Sequence, residues 1–247
     1  MKLSSRARTR SGSERTFDSV FGFRVSSFAT SCSPGRRQQT RAASQELLVS
    51  WAVDVPAPEG RPLLIGLAGP PGVGKSTVAS QLASVLPAAV VLPMDGFHLS
   101  NAELARLGLA ERKGAPDTFD VDGFVAVLTR LRAGSGRPVY APLFHRELEE
   151  SIAGQVVVLP MTSIVIVEGN YLLLDSGGWE LVRPLLDVCW YVEAADDRVR
   201  VSRLVDRHVG HGRSRDAALQ WVERSDEANA RIVAATRARA DRVIVVG

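Results

Sequence analysis

The chain has 247 residues, of which 45% are hydrophobic and 23% are charged, and it carries a net charge of +3. This composition is typical of a soluble globular protein with one α/β domain or two small domains, and no apolar run is long enough to span a membrane. Residues 1–45 hold nine basic and two acidic side chains, about +7, so the rest is close to −4 and a basic nucleic-acid-binding domain is not supported. The two cysteines, Cys32 and Cys189, stand in different settings, which argues against a disulfide framework and favours a reducing cytoplasm.

Residues 1–45 are rich in Ser, Arg and Thr and show no sustained periodicity. They are therefore predicted to form a disordered basic tail. An acid-poor, Arg-rich start is also similar to an organelle transit peptide, but its weak amphipathicity favours a flexible extension or an upstream start codon included in error. Because there is no secretory signal segment, the predicted location is the cytoplasm.

A short helix is predicted at 45–53 and a linker at 56–60, and strands then alternate with helices. The predicted strands are apolar and unalternating, as parallel strands buried on both faces are: 63–68, 89–93, 164–168, 188–192 and 243–246. The predicted helices are 75–86, 121–133, 179–186, 196–209 and 215–240. This order predicts one α/β domain over residues 60–247, a doubly wound parallel sheet with helices on both faces and its sites at the carboxyl ends of the strands.

A phosphate-binding loop is predicted where the strand at 63–68 meets the helix at 75–86. The segment reads G-x-x-x-x-G-K-S, and its predicted ATP contacts are Gly69, Pro70, Pro71, Gly72, Val73, Gly74, Lys75, Ser76 and Thr77. A side chain at Gly72 or Gly74 would block backbone N–H groups that turn inward around an oxyanion. Lys75 supplies a catalytic cation for the β- and γ-phosphates, and Ser76 a hydroxyl for Mg²⁺. The alternative is a tight strand-to-helix turn that is merely glycine-rich.

Two further strands lead into acidic residues. Asp95 follows the strand at 89–93, where it can face the γ-phosphate and accept the proton of an acceptor hydroxyl; the alternative is a helix N-cap. Glu168 ends the strand at 164–168 and can hold Mg²⁺ opposite Ser76, although a strand-end glutamate is more often simply solvated. The two acids predict a general base and a metal ligand beside the phosphate loop.

A basic helix face is predicted to act as a lid. Arg200, Arg203 and Arg207 stand at i, i+3 and i+7 on one face, and Gly210 and Gly212 follow as hinge candidates. Guanidinium groups suit the oxygens of a transferring phosphoryl group, so Arg200 is predicted to bind ATP, and Arg203 and Arg207 to take part in catalysis. The alternative is a solvated basic face.

The acceptor side is marked by cations and histidines. Arg112 and Lys113 lie in the polar segment 112–120, where they can grip an acceptor or merely coat a loop. With His98 and His145 they indicate an anionic or richly hydroxylated acceptor. No Cys/His spacing for zinc and no Ser-His-Asp order stands out.

Taken in order, these motifs resemble those of the phosphoribulokinase/uridine kinase family of P-loop kinases, which includes bacterial-type pantothenate kinase. The resemblance spans about residues 62–246 and rests on the segments 69–76, 94–98, 113–120 and 200–213. It implies that Asp95 is the catalytic base, that 113–120 is an acceptor-side loop, and that Tyr140 and His145 contact the acceptor. The closest likeness is to bacterial nucleoside/nucleotide kinase-like and fructose-transport-system kinases.

Three positions depart from the pattern of these relatives. Ala141 stands where uridine kinases carry an acid, and Gly96 where they carry a serine. His145 stands where the fructose-transport-type relatives carry an aspartate. The first two departures argue against uridine as the substrate, and the third argues against a fixed role for His145.

The resemblance implies an ATP- and Mg²⁺-dependent kinase that transfers the γ-phosphate to a hydroxyl of a nucleoside, sugar or pantothenate-like metabolite. It implies a small-molecule partner, no nucleic acid and no membrane, and it is compatible with a homodimer. One alternative is a uridine/cytidine kinase. Another, from a different class, is a nucleotide-dependent switch or GTPase, although the Asn-Lys-x-Asp motif is absent and residues 175–178 have only a loose D-x-x-G form. The sequence does not name the acceptor.

Overall fold

The computed structural model describes residues 39–40 and 44–247. The predicted basic tail, apart from residues 39–40 and 44–45, lies outside the described residues, as does Cys32. In the described part, no helix is both long and apolar enough to cross a membrane.

Regular elements alternate along the chain much as the sequence predicts. The strands are β1 (Gln39–Thr40), β2 (Leu63–Ala68), β3 (Ala89–Pro93), β4 (Val139–His145), β5 (Glu150–Val158), β6 (Ile164–Gly169), β7 (Val188–Ala194) and β8 (Arg242–Val246). The α-helices are α1 (Gln45–Val53), α2 (Lys75–Val85), α3 (Asn101–Leu107), α4 (Val121–Ala133), α5 (Asp197–Gly210), α6 (Arg215–Trp221) and α7 (Glu227–Ala235). Local capping sets some of these ends: the side chain of Asp120 accepts from the N–H of Gly123 at the start of α4.

Six strands form one parallel sheet in the order β1-β8-β7-β2-β6-β3. Every residue of the central strand β2 is buried, which is why it reads as an unbroken apolar run. Its alternate residues reach opposite faces: Leu63 lies in the core cluster that holds Leu82 of α2, and Leu64 in the cluster that holds Phe124 of α4. The predicted α/β fold, with helices on both faces of a parallel sheet, is confirmed.

One of the predicted helices is wrong, and another contains an irregular turn. The segment 179–186 forms two single 3₁₀ turns, Trp179–Leu181 and Arg183–Leu185, because Pro184 lacks an N–H and cannot stand inside an α-helix. The segment 215–240 is continuously helical over 215–235, as predicted, but a π-helical turn, Val222–Asp226, lies between α6 and α7, and a 3₁₀ turn follows α7. Helix α3 was not predicted.

The antiparallel pair of β4 and β5 was also not predicted. It pairs Val139 with Val158 at one end and His145 with Glu150 at the other, and its inner face packs on the core. Its turn, residues 146–149, contains no Gly, Pro or Asn, and Glu149 takes a left-handed φ of 52°. A turn without turn-forming residues left no signal in the sequence.

Candidate functional site

The phosphate loop lies at the carboxyl end of β2 and leads directly into α2. Gly72 and Gly74 have φ values of 77° and 99°, in the left-handed region that favours glycine. A side chain on Gly72 would also collide with Leu204 and with the carbonyl of Arg200, both on α5. The loop therefore needs glycine at Gly72 for two reasons, its backbone conformation and the close approach of α5.

Lys75 is buried beneath this loop, with 8% of its surface exposed. Its Nζ donates to the carbonyl of Pro70 at 3.0 Å and to Oδ1 of Asn170 at 2.7 Å. Burial lowers the pKa of Lys75 to about 8, against the opposing charges of Glu168 and Asp95. The loop thus holds a cation whose charge is only partly compensated, and Asn170, to which the sequence analysis gave no role, positions it.

Ser76 and Glu168 meet across the cleft floor. Strand β6 lies beside β2 with Glu168 in register with Leu67, so the end of β6 faces the start of α2. The hydroxyl of Ser76 donates to Oε1 of Glu168 at 3.1 Å. Burial, and then the charge of Asp95, raise the pKa of Glu168. Two neighbouring oxygen atoms are a donor set that suits Mg²⁺, which completes its shell with phosphate and water oxygens.

Asp95 stands in the one-turn segment Met94–Phe97 that follows β3. Since β3 pairs with β6 so that Pro93 faces Glu168, Asp95 lies at the same sheet edge as the phosphate loop. Burial acts to raise the pKa of Asp95, but three nearby cations outweigh it and leave the pKa below its usual value: His98, in the protonated form that it takes at acid pH, Arg146 and Lys75. The carboxylate accepts from Arg146 at 3.3 Å and caps no backbone N–H of the described residues.

His98 forms part of the wall of the cleft. Its ring lies between Phe119 and Phe144, with centroid separations of 4.1 and 4.8 Å. Its Nδ1 donates to the carbonyl of Asp95 at 2.8 Å. Burial lowers the pKa of His98, so the imidazole is neutral at pH 7 and fixed by the turn that carries Asp95.

Gly96 allows the hairpin to approach this turn. A side chain at this position would meet the carbonyl of Pro142 and the N–H of Leu143, both on β4. The glycine that departs from the uridine kinase pattern is thus required by the packing of β4.

Lys113 lines the cleft, but its ammonium already donates three hydrogen bonds to other residues of the chain. Its Nζ donates to Oδ1 of Asn101 at 2.8 Å, to the carbonyl of Glu149 at 2.6 Å and to Oε2 of Glu149 at 3.1 Å. An ammonium has three donors, so these contacts account for all of them. Lys113 therefore fastens the β4–β5 turn to α3.

Three of the residues predicted on the acceptor side lie away from the cleft. Arg112 pairs with Asp117 at 2.9 Å in an exposed loop. Tyr140 is 55% exposed on β4, and Nε2 of His145 lies 2.5 Å from Oε1 of Gln155 on β5. Residues of a strand alternate between its faces, so motif spacing alone did not reveal which face reaches the cleft.

The predicted lid arginines divide between two roles. Arg200 is 2% exposed and does not line the cleft; it pairs with Asp197 and Glu227, both at 2.5 Å, and donates to the carbonyl of Pro71 at 3.2 Å. It therefore braces the phosphate loop from behind. Arg203 and Arg207 line the cleft.

These parts enclose one cleft of about 880 Å³. The predicted site residues that line it are Pro71, Gly72, Gly74, Lys75, Ser76, Thr77, Asp95, His98, Lys113, Glu168, Arg203 and Arg207. Lining residues without a predicted role include Asn101, Phe144, Arg146, Glu149, Asn170, Trp221, Asp226 and Asn229. The cleft thus joins a phosphate-binding end to a second end made by the hairpin and the α6–α7 region.

Comparison with known proteins agrees with this arrangement. The model of the Phosphoribulokinase / Uridine kinase family matches residues 64–247. A Schizosaccharomyces pombe protein described provisionally as a uridine kinase is 33% identical over 199 residues, covering 76% of this chain and 84% of that protein. The pantothenate kinase of Leifsonia xyli subsp. xyli is 35% identical over 144 residues, covering 55% of this chain and 44% of that enzyme.

A solved structure is also similar to this chain over most of its length. The structure described provisionally as a fructose transport system kinase from Silicibacter sp. TM1040 has a TM-score of 0.75 and 39% identity, and it covers 81% of this chain and 98% of that chain. The family model covers well over half of the chain, and the cleft carries the family's phosphate loop in its expected place. The chain therefore belongs to the Phosphoribulokinase / Uridine kinase family and is an ATP-dependent small-molecule kinase.

Proposed function

We propose that the chain transfers the γ-phosphate of Mg²⁺-bound ATP to a hydroxyl of a small metabolite, with Asp95 as the general base. The observation that carries this proposal is the placement of Asp95 and Lys75 in one cleft, at the carboxyl ends of β3 and β2, the two strands that flank β6. The charges of Arg146 and Lys75 favour the carboxylate form of Asp95. An ionised carboxylate can take the proton of an attacking hydroxyl.

The phosphate end of the cleft would hold the nucleotide and its metal. Backbone N–H groups of the loop and the ammonium of Lys75 would surround the β- and γ-phosphates. Ser76 and Glu168 would hold Mg²⁺, whose charge would neutralise the phosphate oxygens when it is bound. Their 3.1 Å separation supports this assignment.

Arg203 and Arg207 would stabilise the charge that develops on the transferring phosphoryl group. Both line the cleft, and the apolar side of α5 packs against α6 through Leu204, Val205 and Ala218. This packing joins α5 and α6 beside the cleft, where the two helices would help to exclude water. Arg203 also donates to the carbonyl of Gly247 at 2.9 Å, an exposed contact that its side chain would give up on reaching the phosphoryl group.

The acceptor would bind at the hairpin end, beside His98 and Phe144. The aromatic pair Phe119 and Phe144 that encloses His98 supplies an apolar wall, and the neutral imidazole supplies one polar nitrogen. The exposed position of Tyr140 and the bond between His145 and Gln155 give no support to the uridine-contacting roles that the resemblance implied.

The test is the fate of the γ-phosphate. Purified protein with Mg²⁺ and ATP is incubated with uridine, cytidine, pantothenate, D-glycerate, D-ribose and D-fructose, and phosphorylated products are identified by mass. A phosphorylated product from any one of them supports the proposal. Preference for GTP together with hydrolysis alone would favour a nucleotide-dependent switch, and a product from uridine and cytidine only would favour the uridine/cytidine kinase.

A further inference from the structure

Arg146 enters the cleft from the β4–β5 turn, whereas Arg203 and Arg207 enter it from α5. Its Nη2 donates to Oδ2 of Asp95 at 3.3 Å. A guanidinium group has five N–H donors in a planar fork, and Arg146 makes no other hydrogen bond with the described residues. The rest of the fork therefore remains available beside the general base.

The turn that carries Arg146 is fastened to α3. Besides the bonds from Lys113 to Glu149, the N–H of Asn101 donates to Oε1 of Glu150 at 3.0 Å, and its Nδ2 donates to the carbonyl of Glu149 at 3.1 Å. Glu149 takes a left-handed φ of 52°, a conformation that residues with a side chain rarely adopt. Backbone strain of this kind concentrates at functional sites, so the fixed turn favours a functional role for Arg146.

The reacting atoms lie within reach of this guanidinium group. A general base stands about 2.6–3.2 Å from the oxygen whose proton it takes, and that oxygen attacks the phosphorus from about 3–3.5 Å. With Asp95 as the base, the phosphorus is therefore within about 7 Å of the carboxylate. Because Arg146 is bonded to that carboxylate, its remaining donors can meet the oxygens of the phosphoryl group.

Arg146 also places its positive charge close to that of Arg207. Burial lowers the pKa of Arg207 most, and the charge of Arg146 lowers it further. Three acids act in the opposite direction, each less strongly: Asp226, Asp95 and Glu149. Two like charges at close range favour an anion between them. The transferring phosphoryl group, whose negative charge is spread over its outer oxygens, is such an anion.

We propose that Arg146 is a second catalytic arginine, supplied by the hairpin, which donates to the transferring phosphoryl group together with Arg207 while it holds Oδ2 of Asp95. This proposal rests on the proposed kinase activity. It makes the β4–β5 turn part of the catalytic machinery, in addition to the phosphate loop and α5.

The proposed step transfers one phosphoryl group and one proton. The acceptor oxygen forms a bond to the γ-phosphorus, and its proton passes to Oδ1 of Asp95, which accepts no hydrogen bond from the described residues. The bond from the γ-phosphorus to the oxygen that bridges it to the β-phosphate breaks, and its electron pair leaves with ADP. Arg146 stays protonated and only donates hydrogen bonds.

The test uses the full chain with Mg²⁺ and ATP, and with uridine, cytidine, pantothenate, D-glycerate, D-ribose and D-fructose as acceptors. Arg146→Ala and Arg146→Lys are compared with the matched control Arg106→Ala, which removes an exposed arginine of α3 that pairs with Glu103 at 2.6 Å. Steady-state kinetics give kcat and the ATP KM. Binding of ADP, with and without aluminium fluoride as a mimic of the transferring phosphoryl group, separates ground-state from transition-state contacts. Thermal unfolding confirms that each variant is folded.

We expect Arg146→Ala to lower kcat about 10²- to 10³-fold and to leave the ATP KM unchanged. Its affinity for ADP alone should match that of the wild type, whereas its affinity for ADP with aluminium fluoride should fall at least about 10-fold. Arg146→Lys, which keeps the charge without the fork, should lie between the two. The melting temperature should stay near wild type, because the contact with Asp95 is partly exposed.

Three outcomes would overturn the inference. One is a loss of kcat no larger than that of Arg106→Ala, and another is an equal fall in affinity for ADP with and without aluminium fluoride, since a structural role would weaken both. The third is a lower kcat with unchanged aluminium fluoride binding, which would mean that Arg146 acts only through Asp95. If Arg146→Ala does not fold, Arg146→Lys decides. A wild type that phosphorylates no acceptor contradicts the proposed function itself, and the inference falls with it.

Discussion

The buried ammonium of Lys75 destabilises the free protein, and its removal should therefore separate stability from activity. The pKa of Lys75 falls from 10.5 to about 8, and burial is the main cause. This difference of about 2.5 pH units corresponds to about 3 kcal/mol, at roughly 1.4 kcal/mol per unit. The cost is present in full below pH 8 because the lysine is charged in both the folded and the unfolded chain.

The replacement Lys75→Met removes the charge and keeps an unbranched apolar side chain of similar length. It also leaves the carbonyl of Pro70 and Oδ1 of Asn170 without this donor, which offsets about 1 to 2 kcal/mol of the gain. We expect the free energy of unfolding at pH 7 to rise by about 1 to 2 kcal/mol. Turnover should fall by orders of magnitude, because the ammonium interacts most strongly with the transferring phosphoryl group.

The pH dependence of the free energy of unfolding tests whether the charge of Lys75 destabilises the fold. The folded pKa of Lys75 lies below the unfolded one, so the wild type gains stability as the pH rises from 8 towards 10.5, where the lysine is neutral in both states. The advantage of Lys75→Met should therefore be smaller at pH 9.5 than at pH 7. Urea unfolding of both proteins at pH 7 and pH 9.5 measures this difference in stability.

The matched control is Lys113→Met, which removes the other lysine of the cleft. Because Nζ of Lys113 donates to Asn101 and Glu149, this change should lower the stability. A loss of stability in Lys75→Met at pH 7, a gain of equal size at both pH values, or near-normal turnover would refute the reasoning.

Three further changes test other parts of the account. Gly96→Ser should lower the melting temperature and turnover, because its Cβ would meet the carbonyl of Pro142, whereas Gly210→Ser, where the space is open, should leave the melting temperature near wild type; equal losses of melting temperature would contradict the packing argument. Arg200→Ala should cost about 3 kcal/mol of unfolding free energy and raise the ATP KM, and an unchanged KM would contradict its bracing of the phosphate loop. A chain that begins at Gln45 should keep its turnover and melting temperature, because among the described residues it loses only Ser44 and the two-residue strand β1; a large fall in either would show the removed segment to be structural.

The sequence predicts the sheet and the phosphate end of the site well, for physical reasons. Buried parallel strands leave unbroken apolar runs, and such runs located β2, β3, β6, β7 and β8. Acids that follow these runs share one sheet edge, so their grouping follows from topology. Asp95 and Glu168 accordingly line one cleft with Lys75.

The acceptor end was much less predictable. The β4–β5 hairpin has no turn-forming residues, so its approach to Gly96 and the position of Arg146 left no local signal. The sequence pattern predicted the helix that runs through residues 222–226 but gave no sign of its π turn, because an inserted turn does not change composition. Arg200 shows a different limit, since helical spacing placed it with Arg203 and gave no sign that it faces the back of the loop.

The most direct test of the account uses ATP whose γ-phosphate carries a radioactive label. The measurement is the rate at which this labelled phosphate is transferred to an organic hydroxyl by the wild type and by Asp95→Asn. Asparagine keeps the shape of the side chain but cannot serve as a carboxylate base. We expect the wild type to place the label on one acceptor of the panel, and Asp95→Asn to bind ATP normally and transfer it about 10²- to 10⁴-fold more slowly. Equal transfer rates in the two proteins, or label recovered only as inorganic phosphate, would contradict the assignment of Asp95 as the base of a small-molecule kinase.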